Sequence, residues 1–228
     1  MTSGTFTAAL LELSPRFERA SGQHVVAATT TMGVGESSIP SRLRRHEPAD
    51  VVILDDDAMM QLLADGTVIA GSRTPLARSG IGLAVRAGTP RPDVSTVDAF
   101  RCTLLAARSI AYSSSVSGRY LTTELFQRLG IAEQMAGKSR RIEGERVGAV
   151  VARGDAELGF QQTSELLPVP GIDYVGPLPG ELQRISVFSA GVAAHTANRA
   201  AAEALIRFLA SSEAADAVRK TGLELPPR

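Results

Sequence analysis

The chain has 228 residues, 44% of them apolar, with 24 acidic and 24 basic side chains, which suits one large domain or two small ones and excludes a disordered or fibrous chain. Its charges cancel and no apolar run approaches the ~20 residues needed to cross a bilayer, so neither a nucleic-acid partner nor membrane insertion is expected. Trp is absent and aromatics make up 4%, which leaves few stacking platforms and points to a small, polar ligand.

Met1-Thr2-Ser3-Gly4 does not begin a signal peptide, because no basic stretch followed by an apolar one is present. A cytoplasmic location and a removed leader both stay open. Phe6, Leu10, Leu13 and Phe17 then recur at helical spacing up to Gly22, a residue suited to the left-handed turn after a helix. His24-Val25-Val26-Ala27-Ala28 reads as a short strand that runs into a Gly- and Ser-rich loop, Thr29 to Ser38. Pro40 stands where a first helical turn tolerates it, ahead of Leu43.

Val51-Val52-Ile53-Leu54 is an apolar run bounded by charge, the pattern of a strand buried on both faces. Asp55, Asp56 and Asp57 follow, and capping of the next helix, with Met59, Leu62 and Leu63, is expected of one of them. They lack the spacing of a calcium loop. Ile81 to Val85 is the next strand, and Ser95-x-x-Asp98 resembles a capping box before a helix that carries Cys102, read as a packed core thiol.

Ser109-Ile110-Ala111-Tyr112 is a strand leading into Ser113-Ser114-Ser115-Val116-Ser117-Gly118 and then a helix with Leu121, Leu125 and Leu129. A helix start offers unpaired N–H groups and a positive dipole end, and small residues let an anion approach them. Gly118 is expected to keep that approach open, so a β-branched residue there should weaken binding and leave the fold largely intact if the backbone angles at 118 are not special. Glu143-Gly144-Glu145-Arg146 opens another helix with Val147, Val150 and Val151; Ala156 to Phe160 is a strand, with Gln161 to Glu165 at its carboxyl end. Ile185 to Ala194 is one more strand, and Ala204, Leu205, Phe208 and Leu209 mark a final helix. Alternating strands and helices imply an α/β protein with mixed, mainly parallel sheets and a ligand at the strands' carboxyl ends.

Gly33-Val34-Gly35-Glu36-Ser37-Ser38 lacks the lysine of a phosphate loop and the glycine spacing of a dinucleotide site. His24, His46 and His195 are scattered and Cys102 is single, so no metal site, triad or cofactor is expected.

Four stretches carry a family resemblance: Pro48-Ala49-Asp50-Val51-Val52-Ile53; Ser117-Gly118 with Tyr120 to Gly130; Gly154-Asp155-Ala156-Glu157-Leu158-Gly159-Phe160; and Phe208 to Ala215. Through them the chain resembles the type II periplasmic solute-binding proteins, in the branch around the molybdate-binding protein, over almost its whole length. The resemblance implies two lobes with a ligand cleft between them, one lobe formed by residues 1–80 and 185–228 and the other by the inserted residues 81–184. It implies an extracytoplasmic protein that binds a small carboxylate or oxyanion as the substrate-binding component of an ABC-type uptake system, whose membrane component is then its partner. The implied ligand contacts are Ser3, Gly4, Thr5, Ser37, Ser38, Ser115, Ser117, Gly118, Arg146, Val147 and Gln162.

Two departures speak against carrying over a tetrahedral oxyanion: Gln162 stands where the molybdate proteins have tyrosine, and Ser3-Gly4-Thr5-Phe6 replaces a serine pair. The family's first strand would lie before Met1, so an unpaired edge is expected in the first lobe. Aconitate isomerase belongs to the same branch, and the alternative is therefore an isomerase of unsaturated tricarboxylates. Arg119, Glu143, Glu145 and Glu165 are its candidate catalytic groups, since such a proton shift needs cationic donors and a base.

Overall fold

The computed structural model describes residues 1–28 and 35–227. Gly33 and Val34 of the glycine-rich loop lie outside them. The chain forms two compact units, Met1–Ser79 with Ser186–Arg228 and Gly80–Ile185. It therefore enters the second unit at Ser79–Gly80 and leaves it at Ile185–Ser186. No described helix is long and apolar enough to cross a membrane.

In the first unit, helix α1 (Gly4–Ser21) buries Phe6, Leu10, Leu13 and Phe17, and Gly22 ends it at φ 70° with its N–H on Glu18 O. Strands β1 (Val51–Asp55) and β2 (Thr74–Ser79) flank β8 (Ser186–Val192) antiparallel. All five residues of β1 are buried, because its alternate side chains enter two different cores. Val51 and Ile53 pack with α1, α10 (Arg199–Leu209) and α11 (Ala215–Lys220); Val52 and Leu54 pack with α2 (Ile39–Arg44) and α3 (Asp56–Ala64). Each such side chain contributes ~1.5–3 kcal/mol of transfer free energy.

The other edge of β1 is not bare, contrary to expectation. Thr2 bridges Ile53 in parallel, with Ile53 N–H on Met1 O at 3.0 Å and Ser3 N–H on Ile53 O at 2.8 Å. The segment His24–Ala28 is not a regular strand, although Ala28 O accepts the Thr2 N–H, and Val26 is 79% exposed.

In the second unit a five-stranded sheet runs β5-β4-β6-β3-β7, built from β3 (Ile81–Arg86), β4 (Ile110–Ser113), β5 (Ser139–Ile142), β6 (Leu158–Gln162) and β7 (Ile172–Pro177). Its helices are α4 (Val97–Ala106), α5 (Val116–Tyr120), α6 (Phe126–Arg128), α7 (Ala132–Ala136), α8 (Val147–Arg153) and α9 (Thr163–Leu166). A π-helical turn, Leu121–Leu125, joins α5 to α6, so the expected single helix carries a local widening.

The sheets are mixed, but antiparallel pairing outweighs parallel. Among the described strand pairs only β4 with β5 and β6 is parallel, whereas β1, β2, β3, β7 and β8 pair antiparallel. Strands β2 and β3, joined through Gly80 alone, lie in different sheets. Two local readings also shift. The cap of α4 is Thr96, whose Oγ1 accepts from Ala99 N–H at 3.1 Å, one residue past Ser95. Cys102 is exposed, on the outer face of that helix, while Phe100 and Leu104 carry the core.

Candidate functional site

In the second unit the serine loop folds into a ring of hydroxyls. Ser113 ends β4, Ser115 is the residue before α5 and Ser117 lies in its first turn; all three are buried. The Oγ atoms of Ser113 and Ser115 are 2.6 Å apart, those of Ser113 and Ser117 2.9 Å, and those of Ser115 and Ser117 3.1 Å. Each hydroxyl has one proton and two acceptor lone pairs, so the ring can satisfy all three donors internally. Turning one outward supplies a donor to an anion without moving the backbone. Ser115 makes no side-chain cap to α5, which keeps its hydroxyl in the ring.

Gly118 permits this packing. A Cβ there would stand 1.7 Å from Ser113 O, so the start of α5 lies directly on the end of its own strand. The expectation that a larger residue would leave the fold intact is therefore corrected.

At the start of α8, Arg146 is the N-terminal flanking residue and makes no side-chain cap. The Val147 N–H is engaged by Gln161 Oε1 at 3.0 Å. Gln161 is buried in β6, and sequence reasoning passed over it as a contributor. Its signal is an amide inside a strand that is otherwise buried, where a partner is obligatory. Gln162 is completely buried at the end of β6 and flanks α9.

The candidate catalytic groups separate by environment. Glu143 is exposed and paired with Arg141 at 2.6 Å. Glu145 is exposed and held by Arg153 through two bonds of 2.8 and 3.1 Å, which lower its pKa. Arg119 is exposed. Glu165 alone of the three glutamates is buried, at 3% exposure in α9. A base for a carbon acid works best with a pKa raised toward neutrality, and the ion pair of Glu145 acts in the opposite sense.

In the first unit, Ser3 stands at the N-terminal boundary of the 18-residue α1. Its backbone is fixed: N–H donates to Ile53 O, and its own C=O accepts from Thr7 Oγ1 at 2.9 Å. Its side chain is fully buried, caps nothing in α1, and its Oγ has no hydrogen-bond partner among the described residues. A buried hydroxyl without a partner costs ~1–3 kcal/mol, and this one lies at the positive end of a long helix dipole. Gly4 and Thr5 form the first turn beside it.

The other residues of this unit are used structurally. Ser38 caps α2, its Oγ accepting from Ser41 N–H at 3.4 Å and donating to Ser41 Oγ at 3.0 Å, and Ser37 is exposed. Asp55 caps α3 by accepting from Ala58 N–H at 3.2 Å, as the aspartate run predicts. Asp56 is bound by Arg73 at 2.6 and 2.5 Å and by the Ser189 hydroxyl at 2.7 Å. Arg73 chiefly, with Ser189, holds its carboxyl below the usual range. Among the described residues no group of three His, Cys, Asp or Glu side chains is placed to hold a metal ion.

Residues 1–224 match the family described as bacterial extracellular solute-binding protein. The chain is 45% identical over 228 residues to an aconitate isomerase from a Pseudomonas species, covering 100% of this chain and 87% of that protein. Among solved structures, the periplasmic molybdate-binding protein of Azotobacter vinelandii superposes with a TM-score of 0.79 at 21% identity, over 99% of this chain and 98% of the other. Peb3 from Campylobacter jejuni superposes with a TM-score of 0.72 at 14% identity, over 99% and 98%.

Proposed function

This chain belongs to the bacterial extracellular solute-binding protein family and has the type II periplasmic-binding-protein fold, and on that premise we propose that it binds a small carboxylate anion. Each unit by itself offers donors for such an anion: the first has the Ser3 hydroxyl with the first turn of α1, and the second has the Ser115 and Ser117 hydroxyls at the start of α5. The observation that supports this most is the fully buried Ser3 Oγ, without a hydrogen-bond partner among the described residues, at the start of an 18-residue helix. An anion there would accept from the hydroxyl and interact with the helix dipole at once. Arg146, Gly118 and Gln162 complete the proposed contacts, and Val147 contributes once its N–H is shared with Gln161. A role outside the cytoplasm, as the binding component of an ABC-type uptake system, goes with this reading.

A ligand at a hundredfold excess over its Kd would stabilise the fold by ~2.7 kcal/mol. A thermal-shift screen of molybdate, sulfate, citrate, cis-aconitate and trans-aconitate is expected to give a rise in Tm with at least one polycarboxylate. A folded protein whose Tm none of them moves would remove the proposal.

A second reading is favoured by the 45% identity along the whole chain to an aconitate isomerase: the bound anion is an unsaturated tricarboxylate, and the protein moves a proton along it. Glu165 is the preferred base, because it is the buried carboxylate of the candidate set. Purified protein with cis-aconitate in deuterated buffer is then expected to yield trans-aconitate and to incorporate deuterium. Neither interconversion nor incorporation would leave binding alone.

A further inference from the structure

The backbone by which the chain enters the second unit is held by side chains. Ile81 N–H donates to Gln183 Oε1 at 2.8 Å, and Gln183 Nε2 donates back to Ile81 O at 2.9 Å. This is the two-point exchange that a directly opposed residue makes in an antiparallel ladder, here supplied by an amide side chain. Gln183 lies three residues ahead of β8, on the segment by which the chain leaves the unit.

The neighbouring carbonyl is held from the other direction. Gly80 O accepts from both Thr163 N–H at 3.0 Å and Thr163 Oγ1 at 3.2 Å. Thr163 is the first residue of α9 and follows Gln162, which is opposite Ile81 in the sheet. Its hydroxyl is also 3.3 Å from Tyr174 OH on β7. The fit at Gly80 is close: a Cβ there would be 3.1 Å from Gln183 Nε2 and 3.2 Å from its Cδ. Entering strand, leaving segment and the start of α9 are thus joined at one dipeptide.

We propose that Gln183 is a positioning residue for anion binding: through Ile81 and Gly80 it fixes Thr163 and hence Gln162, without itself touching the ligand. The amide is specific to this task. Ile81 presents one donor and one acceptor, and a side chain must carry both to match them. The positioning claim rests on the proposed anion site containing Gln162; the clasp itself does not.

The test compares the full chain with Gln183→Leu, which keeps the side chain's bulk and removes both bonds. In ligand-free protein, hydrogen exchange at the Ile81 and Thr163 amides is expected to rise about tenfold, with the 116–128 segment unchanged. Affinity for cis-aconitate by calorimetry is expected to fall about fivefold, mostly through faster dissociation. Gln183→Glu keeps only the acceptor and is expected to fall between the two. Unchanged exchange at both amides would overturn the clasp, as would exchange raised equally throughout the unit. Local exchange raised with unchanged affinity would overturn the positioning role. Wild-type protein that binds none of citrate, cis-aconitate and trans-aconitate removes the site reading and the positioning role with it, and the exchange data then decide the clasp alone.

Discussion

Gly118 lies so close to Ser113 that a Cβ at position 118 would stand 1.7 Å from the Ser113 carbonyl oxygen and 2.8 Å from Tyr112 Cδ2. The first turn of α5 therefore rests on the strand that precedes it, and the hydroxyl ring of Ser113, Ser115 and Ser117 depends on that approach. Gly118→Val is expected to lower stability by about 3 kcal/mol or more, at the upper end of overpacking costs. Urea denaturation reads this directly. A wild-type midpoint would mean that the strand and helix separate without penalty.

Ser117→Ala probes the same place without disturbing the backbone. Ser113 and Ser115 still bond each other at 2.6 Å, so the loss of stability is expected to stay near 1 kcal/mol. Affinity for the anion identified by thermal shift is expected to drop about tenfold, as befits one lost charge-assisted donor. A variant that binds as tightly as wild type places the anion elsewhere.

Asp56 belongs to the framework. Its bonds to Arg73 and Ser189 couple the start of α3 to β8 and to the residue before β2. Because its folded pKa is depressed, its contribution is fully present above the ordinary carboxylate pKa of ~3.9 and is lost as pH falls through the folded value. Asp56→Asn is expected to cost about 1–2 kcal/mol at pH 7, discounted for partial exposure of the pair. That difference should shrink below about pH 4. A gap between variant and wild type that stays constant from pH 7 to pH 3 would contradict the ion pair.

Much of the fold was legible because burial imposes a period. The stripe Phe6, Leu10, Leu13, Phe17 and the run Val51 to Leu54 both sit where their patterns place them. Alternation of strands and helices matches the α/β class but overstates parallel pairing, since β8 pairs antiparallel with the sequence-distant β1 and β2, and β3 with β6 and β7, pairings that local pattern does not show. Ser115 and Ser117 stood out as small polar residues between a strand and a helix, whereas their mutual bonding is a matter of rotamers. Gln161 and Gln183 were missed for a related reason: each satisfies backbone groups distant in sequence, 14 residues away at Val147 and 102 at Ile81. Cys102 falls outside the core because it is two residues, about 200° around α4, from each of the buried Phe100 and Leu104.

The central claim is that the start of α1 waits for an anion, and Ser3→Ala tests it most directly. A hydroxyl that is buried without a partner among the described residues costs the ligand-free fold ~1–3 kcal/mol, so its removal should leave the unfolding midpoint no lower than that of the wild type and is expected to raise it. The same substitution should weaken binding of the anion about tenfold. Calorimetric titration of wild type and Ser3→Ala, alongside their ligand-free denaturation curves, is the measurement. The account predicts equal or higher stability with reduced affinity; reduced stability with unchanged affinity would contradict it.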